Sequence, residues 1–260
     1  MRIRFLILLL VLALSAAPVL AQADPVHVVS FDGFRFSFDE SLATNVDIWQ
    51  FPGDPVDWEA PGWPQSPHTR FTLYNEGDET RGGLLQVPGV ISVYPVADFE
   101  SYPANQDQYQ QLQTLLAERP DLEATMAVND DGTGESLPFL PIVTGVQVIR
   151  ARAGYVQTET LSGIAYVTLF RLDVSPFVAS EFLYTFQGLS SDGSIYVSAV
   201  FNIDAGMFPA EMGVMDETFD EQFIPYLRDS VSQLNQAEPF DFEPTLDRLE
   251  AVIGSFGFEG

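Results

Sequence analysis

The sequence predicts an α+β protein, in which an antiparallel β-sheet meander has helices packed on it and two helices lie at the C-terminus. Apolar residues alternate with period 2 in short segments bounded by turn residues, most clearly between residues 143 and 202. Apolar residues at helical spacing occur in one central segment and again near the C-terminus. Strands followed by terminal helices favour helices packed on one face of an antiparallel sheet.

The first predicted element is a hairpin of two strands, Val26–Ser30 and Phe34–Asp39, around the turn Asp32-Gly33. Residues 51–67 contain five prolines, which predict a long irregular loop. Two further strands are expected after it, followed by a helix that Arg119-Pro120 terminates. These three elements span Phe71–Tyr74, Val90–Val96 and Asn105–Glu118.

The clearest β region follows, and it predicts three or four strands in an antiparallel meander. The segment from Ile164 to Leu172 is apolar on both faces, which is typical of a central strand. Ser190-Ser191-Asp192-Gly193 is a hairpin signal between the last two strands. The four candidates are Val143–Tyr155, Ile164–Asp173, Glu181–Gln187 and Ser194–Asn202.

Two amphipathic helices are predicted at the C-terminus. Thr218 and Glu221 fit a capping box at the start of the first. Pro225 allows two interpretations: it kinks this helix, or the helix begins near it with the proline in its first turn. Pro244 is expected to start the second helix. The apolar face of that helix comprises Leu246, Leu249, Ile253 and Phe256.

The N-terminus has the pattern of a secretory signal peptide. Arg2 and Arg4 precede an apolar run from Phe5 to Leu14, and Ala21-Gln22-Ala23 fits a cleavage site. Residues 1–23 are therefore expected to be a signal peptide cleaved after Ala23, and residues 24–260 a single secreted, extracytoplasmic domain. The alternative is an uncleaved anchor. Lipid attachment at the cleavage site would need a Cys, which the chain lacks.

Composition excludes several classes of function. The chain has 260 residues with 11 Arg, no Lys, no Cys and two His, which excludes lysine-based, thiol and three-histidine zinc chemistry. Removing residues 1–23 leaves nine Arg against 37 acidic residues, a net charge of −28. Such a field repels nucleic acid and anionic lipid. Cations, basic partners or plain solubility are compatible with it, and the mature chain shows no integral membrane segment.

Motifs in the second half of the chain resemble an uncharacterised family of secreted bacterial proteins. The motifs are Leu137-Pro138-Phe139-Leu140-Pro141, the segment 182–190 (FLYTFQGLS), Asp192-Gly193 and the segment 196–199 (YVSA). The resemblance covers nearly the whole mature chain and implies no activity, cofactor or catalytic residue. The order of elements is also similar to the PsbP/Mog1-type α/β/α sandwich, but a shared fold does not imply a shared function.

An oxygen-rich loop is a candidate calcium site. Asn129, Asp130, Asp131 and Glu135 offer hard oxygen ligands, with Gly132 and Gly134 between them. In an EF-hand register the first and twelfth positions would fall on Ala127 and Pro138, so the loop is not that motif. The alternative is a solvated turn in an acidic protein.

The tryptophans and arginines are the candidate ligand-binding residues. Trp49, Trp58 and Trp63 could stack on sugar rings, or they could pack the proline-rich loop over the sheet. Arg150 and Arg152 share a strand face if alternation is regular and could bind a carboxylate or phosphate. Ion pairs with the abundant acidic residues are the alternative, favoured for these two and for Arg171.

The scarcity of recognisable catalytic motifs favours a non-enzymatic role, and an enzymatic function stays open as an alternative. No Gly-x-Ser-x-Gly motif accompanies His68, and the signature of aspartic proteases is missing. The first hypothesis is an exported binding or interaction domain for an unknown ligand, with an unidentified envelope or extracellular partner and no required cofactor. The second is a calcium- or glycan-binding module. The third is a carboxylate-dependent extracellular hydrolase, which would need two acids converging in a cleft.

Overall fold

The computed structural model of the protein describes residues 25–57, 62–76, 87–125, 128–129, 134–213 and 219–259. The strands are β1 (Val26–Phe31), β2 (Phe34–Asp39), β3 (Asn45–Phe51), β4 (His68–Tyr74), β5 (Gly89–Pro95), β6 (Val146–Gln157), β7 (Leu161–Arg171), β8 (Phe182–Ser190), β9 (Ile195–Ala205), β10 (Phe242–Glu243) and β11 (Gly257–Phe258). The helices are α1 (Pro103–Glu118), α2 (Leu122–Thr125), α3 (Phe219–Gln236) and α4 (Leu246–Gly254), and a 3-10 helix spans Val96–Ser101.

The strands form two sheets. In the large sheet the strand order is β3-β4-β5-β9-β8-β7-β6, all neighbours are antiparallel, and β10 adds to β9. In the small sheet the order is β1-β2-β11. The two meanders β3–β5 and β6–β9 therefore meet where β5 pairs with β9. This arrangement confirms the predicted α+β class with an antiparallel sheet and two C-terminal helices.

Helices cover both faces of the large sheet, whereas the sequence predicted helices on one face only. The small sheet, α3 and α4 pack on the first face, where Phe34, Phe186 and Leu249 belong to one buried cluster. Helix α1 and the segment 137–140 pack on the second face, with Leu112 and Tyr166 in a second cluster. The physical reason is that the central strands are apolar on both sides: β8 is buried at all but its last position.

The predicted elements are recovered with shifted ends, and one strand was missed. The turn Asp32-Gly33 joins β1 to β2, and both residues have the positive φ that such a turn needs. Strand β3, an edge strand, was not predicted, although Val46 and Ile48 alternate with Asn45 and Asp47 and are half-buried while those two are exposed. No described helix has the length and apolarity needed to cross a membrane.

The start of helix α3 decides whether Pro225 lies inside the helix or in its first turn. Helix α3 begins at Phe219, so Pro225 lies inside the helix and the first-turn interpretation is wrong. The predicted cap residue Thr218 lies outside the described residues. Helix α4 begins one residue after Thr245, close to the position that Pro244 predicted. Its predicted apolar face is confirmed, since Leu246, Leu249 and Ile253 are all buried.

Candidate functional site

A cleft of about 260 Å³ opens between the two sheets at one end of the first core. The turn of the β1–β2 hairpin and β11 form one wall, and the ends of β3, β4, β5 and β9 form the other. We call this the inter-sheet cleft. Its aromatic lining consists of Phe31, Phe34, Phe51, Phe71 and Phe258.

The cleft is built from aromatic rings that are only partly covered. Phe34 and Phe71 are buried, with ring centroids 5.7 Å apart, and they form its inner end. Phe31, Phe51 and Phe258 are half-buried and remain reachable from solvent. Half-buried phenylalanine rings around a cavity favour contact with an apolar group.

Few polar groups line the inter-sheet cleft. They are Asp32, Gln50, His68 and Thr69. Burial lowers the pKa of His68 from 6.5 to about 4, a shift that the nearby Arg70 charge reinforces, while the hydrogen bond to Ser66 and the charge of Asp54 oppose it. His68 is therefore neutral at pH 7, and Asp32 is the one acidic residue of the lining.

Trp49 and Trp63 expose their side chains, so the interpretation that they pack over the sheet is wrong for these two. Their exposed fractions are 49% and 60%. Trp49 lies on β3 and not in the loop, and its ring centroid is 5.1 Å from that of Phe51. Trp58 lies outside the described residues. The exposed indoles keep the stacking role open for Trp49 and Trp63.

Arg70 stands beside Trp49, and sequence reasoning did not single it out. The two residues are cross-strand partners of β3 and β4, and the guanidinium carbon lies 5.6 Å from the indole centroid. Arg70 Nη2 donates to Gln65 Oε1 and to His68 Nε2, both at 3.2 Å. The other ring nitrogen of His68, Nδ1, must carry the proton because it lies 2.8 Å from the Ser66 carbonyl oxygen, which can only accept.

Arg150 and Arg152 do not share a face, which corrects the prediction from alternation. The pairing of β6 with β7 is irregular between Ala151 and Gly154, and Arg152 has a φ of 55°. This bulge turns Arg152 toward α3 and places its guanidinium 5.7 Å from the Phe242 ring centre, in the first core. Arg150 lies with Gln147 on the side of the second core.

The predicted ion pairs of these arginines form only at Arg171. Arg171 pairs with Asp173 and Glu181. Within the described part of the chain, Arg150 and Arg152 have no ion pair and donate to backbone carbonyls instead. Arg150 is 3% exposed, and burial lowers the pKa of its guanidinium. Neither residue presents an open site for an anion.

The substitution Arg150→Met is expected to change the free energy of unfolding by no more than about 1 kcal/mol, because a buried charge without a carboxylate gains little over an apolar chain of similar length. Arg152→Met is the matched comparison. It is expected to cost about 1–2 kcal/mol, because Arg152 donates to the carbonyls of Leu234 and Ala237 at the end of α3. Urea denaturation of both variants measures the difference, and equal losses would contradict it.

The predicted calcium loop is described only at its ends. Asn129 and Glu135 are exposed, and Asp130 and Asp131 lie outside the described residues. Among the residues that the structure does describe, no group of three or more His, Asp or Glu side chains could hold a metal ion. Calcium binding by this loop stays a prediction.

Two acidic residues line a shallow depression between α2 and β6. They are Asp121 and Glu123, and Asp121 Oδ1 accepts a hydrogen bond of 3.0 Å from the Glu123 backbone nitrogen. This contact is typical of a residue that caps a helix start. The inter-sheet cleft has one carboxylate in its lining, Asp32.

The motifs behind the family resemblance meet in space as a structural anchor. The backbone nitrogens of Leu137 and Leu140 donate to the side chains of Gln147 and Gln187, at 2.7 and 3.0 Å. Tyr166 donates to the Pro138 carbonyl at 2.8 Å. These side chains satisfy backbone groups of an extended segment that crosses the large sheet without joining it.

Sequence reasoning missed the inter-sheet cleft and Arg70, because both depend on strand pairing. A usable signal was the alternation in Trp49-Gln50-Phe51 and in Thr69-Arg70-Phe71, which would have placed Trp49 and Arg70 on sheet strands. No protein-family model, curated protein or solved structure matches the chain. The candidate sites therefore rest on geometry alone.

Proposed function

We propose that this chain is an exported, non-enzymatic binding domain whose ligand is a small apolar molecule held in the inter-sheet cleft. The observation that carries the proposal is the cleft itself: about 260 Å³ of space beside five phenylalanines. Protein interiors are normally packed without such space. The signal-like pattern of residues 1–23 supports export.

The composition of the lining favours an uncharged ligand. Aromatic rings gain from burying an apolar group, and the neutral His68, Thr69 and Gln50 offer hydrogen bonds that can orient it. A volume of about 260 Å³ lies just below the range of typical drug-sized pockets, so the expected ligand is a compact ring system or a short acyl chain.

Filling the cleft tests this proposal. Thr69→Trp is expected to weaken binding of the neutral fluorescent probe N-phenyl-1-naphthylamine at least tenfold, about 1.4 kcal/mol, because the indole occupies the space that the probe needs. Fluorescence titration measures the affinity. Thr72→Trp on the same strand is the control, because its side chain lies on the opposite sheet face and should leave binding unchanged.

A cooperative melting transition of each variant shows that it folds. In the unmodified protein, a probe that binds the native state raises the melting temperature. Equal probe binding by the Thr69→Trp and unmodified proteins would remove the cleft as the binding site. A probe that neither binds nor stabilises the unmodified protein would contradict the proposed function.

A second candidate function is glycan binding on the surface of Trp49 and Trp63. The observation that favours it is the exposure of these two indoles, 49% and 60%, in a chain whose other described aromatic residues are mostly covered. Indole faces stack on sugar rings at low entropic cost. Trp49 lies on the opposite face of the large sheet from Thr69, so substitutions at these two positions test the two functions separately, even though Phe51 of the cleft lining has its ring centroid 5.1 Å from that of Trp49.

A further inference from the structure

Arg70 is a cation without a counter-ion in a strongly acidic protein. The full chain carries 37 acidic residues against 11 Arg, yet only some of the described arginines pair with a carboxylate. Arg35, Arg171 and Arg248 do so. Within the described residues Arg70 makes no ion pair, and its contacts are Trp49, Gln65 and His68. Its charge is therefore available to a ligand.

The guanidinium of Arg70 is held in one orientation. Its Nη2 atom is fixed between Gln65 Oε1 and His68 Nε2, and His68 is itself fixed by its bond to the Ser66 carbonyl. The Nε atom is buried without a partner, and Nη1 makes no hydrogen bond to the described residues. Because both partners of Nη2 are neutral, the positive charge is positioned without being neutralised.

A second buried polar atom without a hydrogen-bond partner is linked to Arg70 through Ser66 and His68. Asn105 is 2% exposed, and its Nδ2 donates to Ser66 Oγ at 3.1 Å. Its Oδ1 atom is buried without a partner. Buried polar atoms without partners are rare in folded proteins, and two of those among the described residues lie along the chain of contacts Asn105–Ser66–His68–Arg70.

We infer that Arg70 and Trp49 bind a carboxylate carried on a sugar ring, as in a lone uronic-acid residue at the end of an otherwise neutral glycan. The carboxylate accepts from Arg70, and the sugar ring stacks on the exposed indole of Trp49. This inference rests on the second candidate function, glycan binding, and names its substrate class. A carboxylate fits better than a phosphate, because the field of the acidic chain repels a doubly charged group more strongly.

Calorimetric titration with a trimer of one terminal galacturonate and two neutral galactose rings tests the inference. The comparison ligand is the same trimer with its carboxyl group methyl-esterified, which keeps the sugar rings and removes the charge. The acid trimer is expected to bind at least tenfold more tightly than the ester. Arg70→Gln should abolish the preference for the acid over the ester, whereas Trp49→Leu should weaken the binding of both ligands. Arg35→Gln, which changes an exposed arginine of the small sheet, is the control and should leave both affinities unchanged.

The outcomes separate the inference from the function on which it rests. Equal affinities for acid and ester would overturn the carboxylate assignment while glycan binding stands. No binding of either trimer would overturn both. Cyclohexanecarboxylate carries the charge on a ring that is not a sugar, and if it binds as tightly as the acid trimer, the sugar assignment is wrong. The circular dichroism spectrum of each variant should match that of the unmodified protein. A match shows that a variant which has lost binding is still folded.

Discussion

Replacing Gln187 with Leu is expected to lower the free energy of unfolding by about 4 kcal/mol. The side chain is fully buried, and its Oε1 atom accepts from Leu140 N at 3.0 Å and from Tyr196 Oη at 2.8 Å. Leucine keeps the approximate volume but cannot accept a hydrogen bond. Each of the two donors is then left buried and unsatisfied, at a cost of about 1–3 kcal/mol.

The loss is large because Gln187 joins the extended segment to the sheet. Its Nε2 atom also donates to Thr185 Oγ1 at 2.7 Å and to Ser198 Oγ at 3.0 Å, so one side chain satisfies groups on two strands and on the segment around Leu140. Partly satisfied buried networks are more costly than either a complete network or an apolar core. The substitution leaves this network in the partly satisfied state.

Urea denaturation and thermal unfolding measure the effect, and the melting temperature is expected to fall by about 10 °C. Gln110→Leu is the matched control: the residue is exposed on α1, and the change should stay within about 0.5 kcal/mol. A loss at Gln187 no greater than that at Gln110 would show that the anchor does not stabilise the fold.

Acidification from pH 7 to pH 4 is expected to cost about 3 kcal/mol of stability through His68 alone. Burial is the largest cause that lowers its pKa from 6.5 to about 4 in the folded protein. Between these values the unfolded chain binds a proton that the folded protein excludes. The contribution of His68 is therefore complete above pH 6.5 and is lost as the pH falls toward 4.

His68→Gln isolates this effect from the titration of the acidic residues. Glutamine stays neutral, and it can donate to the Ser66 carbonyl and accept from Arg70, as His68 does. The free energy of unfolding, measured by denaturation at several pH values, should fall less steeply with acid in the variant. Parallel pH curves would mean that folding does not lower the pKa of His68.

The anchor also gives the family-like motifs a physical role. Leu140 from the LPFLP motif contacts Gln187 from the second motif, and Gln187 contacts Tyr196 and Ser198 from the fourth, the segment 196–199. These residues are buried in the second core and not at the inter-sheet cleft. The resemblance therefore marks residues that hold the fold together, and it does not locate a binding site.

Local patterns determined the order of elements. Alternation, turn residues and helical spacing predicted the β1–β2 hairpin, the meander β6–β9 and the helices α1, α3 and α4, because these signals act between residues close in the chain. The edge strand β3 was missed although the same signal is present there, since Val46 and Ile48 alternate with Asn45 and Asp47. The sequence left two interpretations of Pro225, because a proline alone disfavours a helix interior. The structure places it inside α3, since packing of the apolar face, with Leu227 and Leu234 buried, outweighs the low helix propensity of one proline.

Composition, charge and the predicted secondary structure are properties of the sequence by itself, and so are the chemistries that it excludes. Only the tertiary structure decided which side chains meet. Trp49 contacts Arg70 through strand register, the bulge in β6 separates Arg152 from Arg150, and residues of both sheets line the cleft. Register, bulges and the gap between layers depend on contacts between residues far apart in the chain, and periodicity within one segment carries no information about them.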